Sequence, residues 1–491
     1  MLSTVRFRLR RWRRPLLPVK AGESGQALLL VMISLTLLIA VPIAVATTVS
    51  DQLPQTTRNL NWDAAYEAAQ AGLNDYLQHL DAASSDTGAS QTTWLEDSTT
   101  PAEYYTYYPT TEVGGLISLK VSGKGGSGAD AVIRNFEYTI RPDSSLDYIY
   151  WSNYETIDPS IDNGVSGCAV YNGQGNVPSD CVVNFNTGDV LDGPVFSNDT
   201  FRICGSPVFE STVESGNIYT GASTVWIQGS GSGCSTASLA SGTKFSKVSN
   251  QEPPTTSADA TPAQEYGCYY SGGNATITLS SPSSGNTNIT VSGSGLTATK
   301  ASGNTNSCPV GTAFALSSMN SGLIYVNGQI SISGSMSGQL DIVSATNILL
   351  TGNITYPSGN INTTTGTDTV DSLGLIASDS VEVMDVKNET IDAAILAVND
   401  SFYVENWGGA GNLGTLTVFG AIAQNFRGPV GTFSGSTILD GYSKAYQYDN
   451  SLQTLWPPYF LAPDGAVWTP SAYTECTPGN GHSVVTSTTN C

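Results

Sequence analysis

The feature that most limits how this chain can fold is one uncharged apolar segment close to its N-terminus. Residues 27–49 hold 23 positions without a charged side chain. A helix rises about 1.5 Å per residue, so this length suffices to cross a hydrocarbon core about 30 Å thick. Seven of the 19 Lys and Arg residues precede the segment: Arg6, Arg8, Arg10, Arg11, Arg13, Arg14 and Lys20.

Positive residues resist translocation across a membrane. The sequence therefore predicts a single-pass protein of the cell membrane, with a cytoplasmic N-terminus and an extracellular C-terminal part of about 440 residues. A cleaved secretory signal peptide is the alternative, but its apolar core spans only about 7–15 residues. This segment is longer and continues directly into a helical pattern, which favours a retained anchor.

The exported part is strongly acidic. Only 12 of the 19 Lys and Arg residues follow the leader, against all 41 Asp and Glu residues. Phosphate backbones are bound by clustered Lys and Arg, so nucleic acid is excluded as a partner. A soluble, self-repelling surface protein fits this balance. Weak Ca²⁺ binding at acidic turns stays open because carboxylates are hard oxygen ligands, and no other cofactor or metal site is predicted.

All eight cysteines follow the apolar segment, and none belongs to a CxxC motif. The chain has only two histidines, His79 and His482, so a zinc site is not expected. Oxidised pairs in an oxidising compartment explain the cysteines better. Pairing of neighbours along the chain would clip local loops, and it predicts four disulfides: Cys168–Cys181, Cys204–Cys234, Cys268–Cys308 and Cys476–Cys491.

A helical pattern over residues 60–80 carries a stripe of small side chains. Ala65, Ala69, Gly72 and Leu73 recur at steps of three and four. Such a stripe lets another helix approach closely, which makes these four residues the candidates for assembly with other helices. The alternative is an ordinary amphipathic helix that packs on its own domain.

The order of these N-terminal features resembles that of type IV pilin-like proteins. The basic leader, the junction at residues 22–25 (GESG), the aliphatic segment and the run AAYEAAQAGL are most similar to the PilX type of minor pilin. The resemblance implies one long helix that packs into a pilus core. It also implies that a prepilin peptidase removes the leader after Gly22 or Gly25. Pilins usually carry a glutamate five residues into the mature chain, and neither cut produces that here.

A weak repeat marks the region after residue 320. Pairs of short apolar strands around a small polar corner begin at Leu323, Leu340, Leu375, Ile395 and Leu416. Spacing near 20 residues is typical of stacked coils that share one core. The predicted fold is therefore mainly β, with a right-handed parallel β-helix (solenoid) as its largest part. An antiparallel sandwich or barrel is the alternative.

Five segments follow from these patterns. They are a leader (1–22), a transmembrane and stalk helix (23–82), a linker with a small β unit (83–145), the β-solenoid (146–450) and a C-terminal cap and tail (451–491). Residues 456–460 (WPPYF) are predicted to cap an open end of the solenoid, since prolines and bulky aromatics stop edge pairing.

Catalysis by a Ser-His-Asp or Cys-His site is not expected, because His79 lies in the predicted stalk helix, His482 lies in the tail and every cysteine is better explained as a disulfide. No nucleotide or metalloprotease motif occurs either. The chain is predicted to be a non-enzymatic surface protein whose helix assembles with other pilin-like subunits or with itself. An anchored monomeric adhesin that recognises a sugar or surface is the competing class. A polysaccharide-cleaving enzyme is the third, and it would depend on corner carboxylates: Asp379, Glu382, Asp385, Asp400 and Glu405.

Overall fold

The computed structural model describes residues 24–82, 88–97, 102–111, 116–161, 164–165, 167–216, 224–231, 233–254, 260–281, 287–357, 361–362, 366–368, 370–461 and 467–476. In the N-terminal helix, side chains are described for residues 28–40 and 56–81. Of the two predicted processing positions, Gly22 lies outside the described residues and Gly25 lies in the first turn of the helix.

A small α/β unit follows the apolar segment. Helix α1 (Ser24–Ala82) packs its C-terminal part on an antiparallel sheet of strands β1 (Gln91–Glu96), β2 (Glu103–Thr111), β3 (Ile117–Gly125) and β4 (Val132–Pro142). The alternating pattern of β4 predicts one buried face, and Phe136, Tyr138 and Ile140 are buried against the helix. These side chains form a core of their own, separate from that of the larger body.

The larger body consists mostly of short strands, with one short α-helix. Its first part contains β5 (Tyr150–Tyr154), β6 (Val190–Asp192), β7 (Val195–Ser197), β8 (Phe201–Ile203), β9 (Val208–Phe209), β10 (Thr212–Ser215), β11 (Trp226–Gln228) and β12 (Lys244–Lys247). Helix α2 (Thr261–Glu265) follows.

Its second part contains β13 (Cys268–Ser271), β14 (Ala275–Ser280), β15 (Asn288–Ser292), β16 (Thr297–Thr299), β17 (Phe314–Ala315), β18 (Leu323–Val326), β19 (Ile330–Ser335), β20 (Gln339–Ser344), β21 (Ile348–Thr355), β22 (Ile361–Asn362), β23 (Thr367–Asp368), β24 (Ser372–Ala377), β25 (Val381–Val383), β26 (Thr390–Ala397), β27 (Phe402–Val404), β28 (Asn412–Phe426), β29 (Gly431–Ser434) and β30 (Thr437–Tyr448). We call β5–β12 the first arm and β13–β30 the second arm.

Parallel pairing dominates the body, as the repeat predicts. One ladder joins β18, β20, β24, β26 and β28, each parallel to the next. A second parallel ladder joins β14, β19, β21, β25 and β27. Antiparallel pairs also occur, for example between β14 and β15 and between β29 and β30. Stacking of apolar residues along both ladders produces one continuous core.

The strand order shows that the two arms meet in the middle of the ladder. The first arm starts at β5 and extends through β7 and β10 to β12. The second arm starts at the opposite end with β13, which pairs with β18, and it returns until β28 lies parallel to β5. Strand β30 likewise pairs with β6. We call this junction, β28 with β5 and β30 with β6, the seam.

The C-terminal segment is placed differently from the predicted cap and tail. Strand β31 (Trp468–Glu475) pairs antiparallel with β4, so the whole body is inserted between two neighbouring strands of the small sheet. Residues 455–459 lie beside the internal strands β20 and β24: the Ser372 hydroxyl donates to the Leu455 carbonyl at 3.2 Å, and the Tyr459 N–H donates to Asp341. The prediction that residues 456–460 cap an end is therefore corrected.

Three disulfides join the predicted neighbours: Cys168–Cys181, Cys204–Cys234 and Cys268–Cys308. The first two lie within the first arm and the third lies near the start of the second arm. Cys476 is also disulfide-bonded, while its predicted partner Cys491 lies outside the described residues. The covalent links therefore hold loops within an arm, and in the described part of the chain none of them joins one arm to the other.

Candidate anchoring and assembly surfaces

The N-terminal part of α1 exposes an apolar surface on all sides. Every described side chain from residue 28 to residue 40 is exposed, and ten large apolar ones between Leu28 and Ile39 are each 47–73% exposed. Contiguous apolar surface of this kind marks a site of contact with protein or lipid. From here on, the apolar segment means residues 28–40, the part of residues 27–49 whose side chains the structure describes. Within the described part of the chain, no helix is both long enough and apolar enough to qualify as a membrane span.

The two polar side chains of the apolar segment satisfy their own hydrogen bonds. The Ser34 hydroxyl donates to the Val31 carbonyl at 2.9 Å, and the Thr36 hydroxyl contacts the carbonyl oxygens of Met32 and Ile33 at 3.0 and 2.9 Å. A hydroxyl bonded within its helix needs no partner from its surroundings. The segment can therefore enter a wholly apolar environment without leaving a donor unpaired.

The small-residue stripe of α1 is covered by the chain's own sheet. Ala65 and Ala69 are fully buried and Leu73 is 4% exposed. A Cβ added at Gly72 would stand 3.0 Å from Val121 of β3. The expectation that these four residues contact a second helix is thus corrected: in this structure the stripe packs on β2 and β3, as the alternative interpretation of the stripe predicts.

Two glycines in β3 allow this close approach. A Cβ at Gly123 would lie 2.0 Å from the Ala65 carbonyl oxygen, and one at Gly125 would lie 2.3 Å from that of Asn61. Helix backbone and strand backbone are therefore in direct contact, which a side chain on either glycine would prevent.

Replacing Gly123 by alanine is expected to loosen the helix from the sheet. Overpacking of this kind costs about 1–3 kcal/mol, and the obstructing atoms here are backbone rather than movable side chain. Hydrogen exchange should then show faster exchange in β2, β3 and β4 and no change in the body. Gly88→Ala is the matched control, because a Cβ there meets nothing within 4 Å. Equal exchange in both variants would contradict the packing described.

One arginine holds the helix, β4 and the C-terminal strand together. The Arg134 guanidinium forms a bidentate pair with Glu475 of β31, at 2.7 and 2.8 Å. The same group stands over the rings of Trp62 and Tyr66 on α1, with its central carbon 4.7 and 5.2 Å from their centroids. One guanidinium thus makes both a bidentate ion pair and cation–π contacts. Both ends of the inserted body are consequently tied to the helix that carries it.

The seam contains two buried ion pairs that link the arms. Arg427 of the second arm contacts Glu155 of the first at 2.7 Å, with both side chains at most 1% exposed. Lys444 contacts Asp189 at 2.8 Å, with Asp189 fully buried. The ring of Phe185 lies beside both cations, its centroid 3.6 Å from the central carbon of Arg427 and 5.6 Å from the Lys444 ammonium. Burial lowers the pKa of Lys444, and the Asp189 carboxylate opposes that shift.

Two of the five corner carboxylates accept hydrogen bonds from different asparagines, and a third lies near other carboxylates. Asn347 donates to Glu382 at 2.6 Å, and Asn406 donates to Asp385 at 2.7 Å. Burial, together with the charges of Asp158 and Asp379, raises the pKa of Asp400 to about 6. In the residues that the structure describes, no group of three or more His, Cys, Asp or Glu side chains is arranged to hold a metal ion.

Comparison with known proteins shows a weak structural likeness. No family model and no curated protein matches the chain. Its structure is similar to that of the competence-associated pilin ComZ from Thermus thermophilus, with 13% identity and a TM-score of 0.33, over 84% of this chain and 97% of that one.

Proposed function

We propose that this chain is an exported, non-enzymatic structural protein, anchored by its N-terminal helix and assembled through that helix with pilin-like partners. The observation that carries the proposal is the apolar segment, which is exposed on every side and has no unpaired hydroxyl. Such a surface must be covered, first by a bilayer and then by neighbouring helices. The body would be displayed outside the cell as a β-solenoid, the finer fold that the parallel ladders favour.

The position of the contacts follows from which faces of α1 are free. The stripe at residues 65–73 is occupied by β2 and β3, which favours contacts between subunits on the exposed residues 28–40. The acidic body disfavours close contact between copies, because like charges repel. Helix contacts near the N-terminus, with the bodies apart, satisfy both conditions.

Fractionation of cells that express the full chain tests this proposal. Surface filaments are sheared and sedimented, the membranes and the medium are collected, and the N-terminus of the protein in each fraction is sequenced. We expect protein in the filament fraction, beginning at Glu23 or Gln26. An intact leader confined to membranes indicates a plain anchor, and an N-terminus near residues 47–51 indicates a secreted protein. Either result would contradict assembly.

A second experiment addresses the contact surface itself. The triple variant Leu30→Ala, Leu35→Ala, Leu38→Ala keeps the segment apolar but removes large side chains from several of its sides. We expect it to reach the membrane normally while its filament fraction falls at least fivefold. Leu439→Ala is the matched control, since Leu439 is 51% exposed on the body. Undiminished incorporation of the triple variant would place the contacts elsewhere.

A further inference from the structure

A cleft opens at the seam, with one wall from each arm. Its volume is about 220 Å³, and its lining includes Asn184, Asn186 and Ser230 from the first arm and Trp407, Thr432 and Phe433 from the second. The Cys204–Cys234 disulfide lies in the wall of the first arm, so that wall is covalently braced. The cleft therefore exists only when the two arms are joined.

The cleft combines aromatic rings with amides and hydroxyls. Trp407 and Phe433 are half-buried, which leaves part of each ring accessible. The Asn184 side-chain nitrogen donates to the Ser230 carbonyl at 3.0 Å, while its buried Oδ1 has no hydrogen-bond partner among the described residues. Because that oxygen is itself buried, the lining group left for a ligand is the Thr432 hydroxyl, which donates to Asp440 at 3.0 Å and can still accept a hydrogen bond from a ligand hydroxyl.

The charges around the cleft disfavour anionic ligands. Lys444 contributes to the lining, but its ammonium is already paired with Asp189. Asp180 lies at the exposed side of the cleft and repels anions. With no unpaired cation among the described lining residues, a phosphate or carboxylate ligand would be poorly bound. A neutral ligand with hydroxyl groups fits best.

The volume of the cleft limits the size of the ligand that it can hold. A volume of about 220 Å³ is below the roughly 300–1,000 Å³ of sites that enclose drug-sized molecules. One sugar ring presents an apolar C–H face to an aromatic ring and hydroxyls to amides. We propose that the seam cleft binds a single neutral hexose unit of a glycan.

The test uses the full chain in a detergent without a sugar headgroup, so that the detergent cannot compete. Binding of neutral gluco-, manno- and galacto-oligosaccharides is measured by saturation-transfer NMR and titration, beside oligosaccharides of uronic acids. We expect a neutral oligosaccharide to bind and the acidic ones not to. Trp407→Ala should weaken binding at least tenfold, whereas Trp94→Ala, a half-buried tryptophan on β1, should leave it unchanged.

Phe433→Leu serves as a second variant that keeps apolar volume and removes only a ring, and it decides the matter if Trp407→Ala does not fold. We expect it also to weaken binding severalfold. Absence of binding by every neutral oligosaccharide at millimolar concentration would overturn the proposal. Binding that is restricted to acidic oligosaccharides, or that is insensitive to both ring variants, would overturn it as well. Filament assembly is measured separately, so its failure would not affect this result.

Discussion

Replacing Arg427 by alanine is expected to lower the free energy of unfolding of the β body by about 3–5 kcal/mol. The change leaves the fully buried Glu155 carboxylate without its cation, and an uncompensated buried charge is strongly destabilising. The loss should be localised: the seam opens first, because the pair joins residues 272 positions apart that no disulfide in the described part of the chain links.

Urea unfolding of the detergent-solubilised full chain, followed by tryptophan fluorescence, measures this effect. The double variant Arg427→Met, Glu155→Leu should recover most of the loss, because replacing both partners by apolar side chains leaves no buried charge. Lys247→Ala is the control, since Lys247 is an exposed cation on β12. A similar midpoint for Arg427→Ala and Lys247→Ala would show that the seam does not depend on this pair.

Raising the pH from about 4 to 9 is expected to destabilise the β body through two carboxyl groups. Asp341 is fully buried, its Oδ1 has no partner among the described residues, and burial raises its pKa to about 7. Glu389 is also fully buried, and burial raises its pKa to about 8, an effect that the neighbouring Tyr442 hydroxyl opposes. The proton of that hydroxyl is directed to the Val386 carbonyl.

The sign of this pH dependence follows from the direction in which the two pKa values shift. A carboxyl whose pKa is higher in the folded chain than in the unfolded one holds its proton more tightly when folded. Its contribution to stability is complete below the unfolded pKa, and it is lost as the pH rises through the folded value. For Asp341 that window runs from 3.8 to about 7, and for Glu389 from 4.5 to about 8. The contribution of each group to the free energy of unfolding falls by at most about 4–5 kcal/mol across its window.

Urea midpoints at pH 4.5 and pH 8.5 measure this dependence. Asp341→Asn and Glu389→Gln should each flatten it, because the neutral amides cannot ionise. Glu405→Gln should leave it unchanged, since Glu405 is exposed. Greater stability at the higher pH, or an unchanged slope in both buried-site variants, would contradict the assignment.

The parts of the fold that depend on local pattern could be predicted from the sequence. Cys204 and Cys234 pair because the loop between them is short enough to be clipped locally. The repeat placed Leu375 beside Ile395, and these residues are in register in the parallel ladder. The repeat does not predict the next pairing correctly: Ile395 of β26 is in register with Ile422 of β28 and not with Leu416. Strand β28 is 15 residues long and pairs with three other strands, which a repeat of short strands does not indicate.

The parts that depend on distant pairing could not be predicted. Strand β31 pairs with β4, which lies more than 300 residues earlier in the chain. A bulge at Pro470 interrupts the regular pairing of β31. The buried ion pairs of the seam join residues that are 272 and 255 positions apart, a proximity that no repeat or spacing in the sequence indicates. For the candidate assembly residues, the pattern showed correctly that Ala69 lies on a close-packing face. It could not show that Gly123 lies opposite, because small residues fit a strand as well as a second helix.

By itself, the sequence determined the long N-terminal helix, the acidic and mainly β character of the rest and the pairing of three disulfides. Periodicity, charge and cysteine spacing are local properties, and local properties are readable along the chain. Only the tertiary structure decided that the body is inserted between β4 and β31, that two arms close at a charged seam and that the small-residue stripe is covered. Each of these depends on which surfaces meet after hundreds of intervening residues have folded, and no local pattern carries that information.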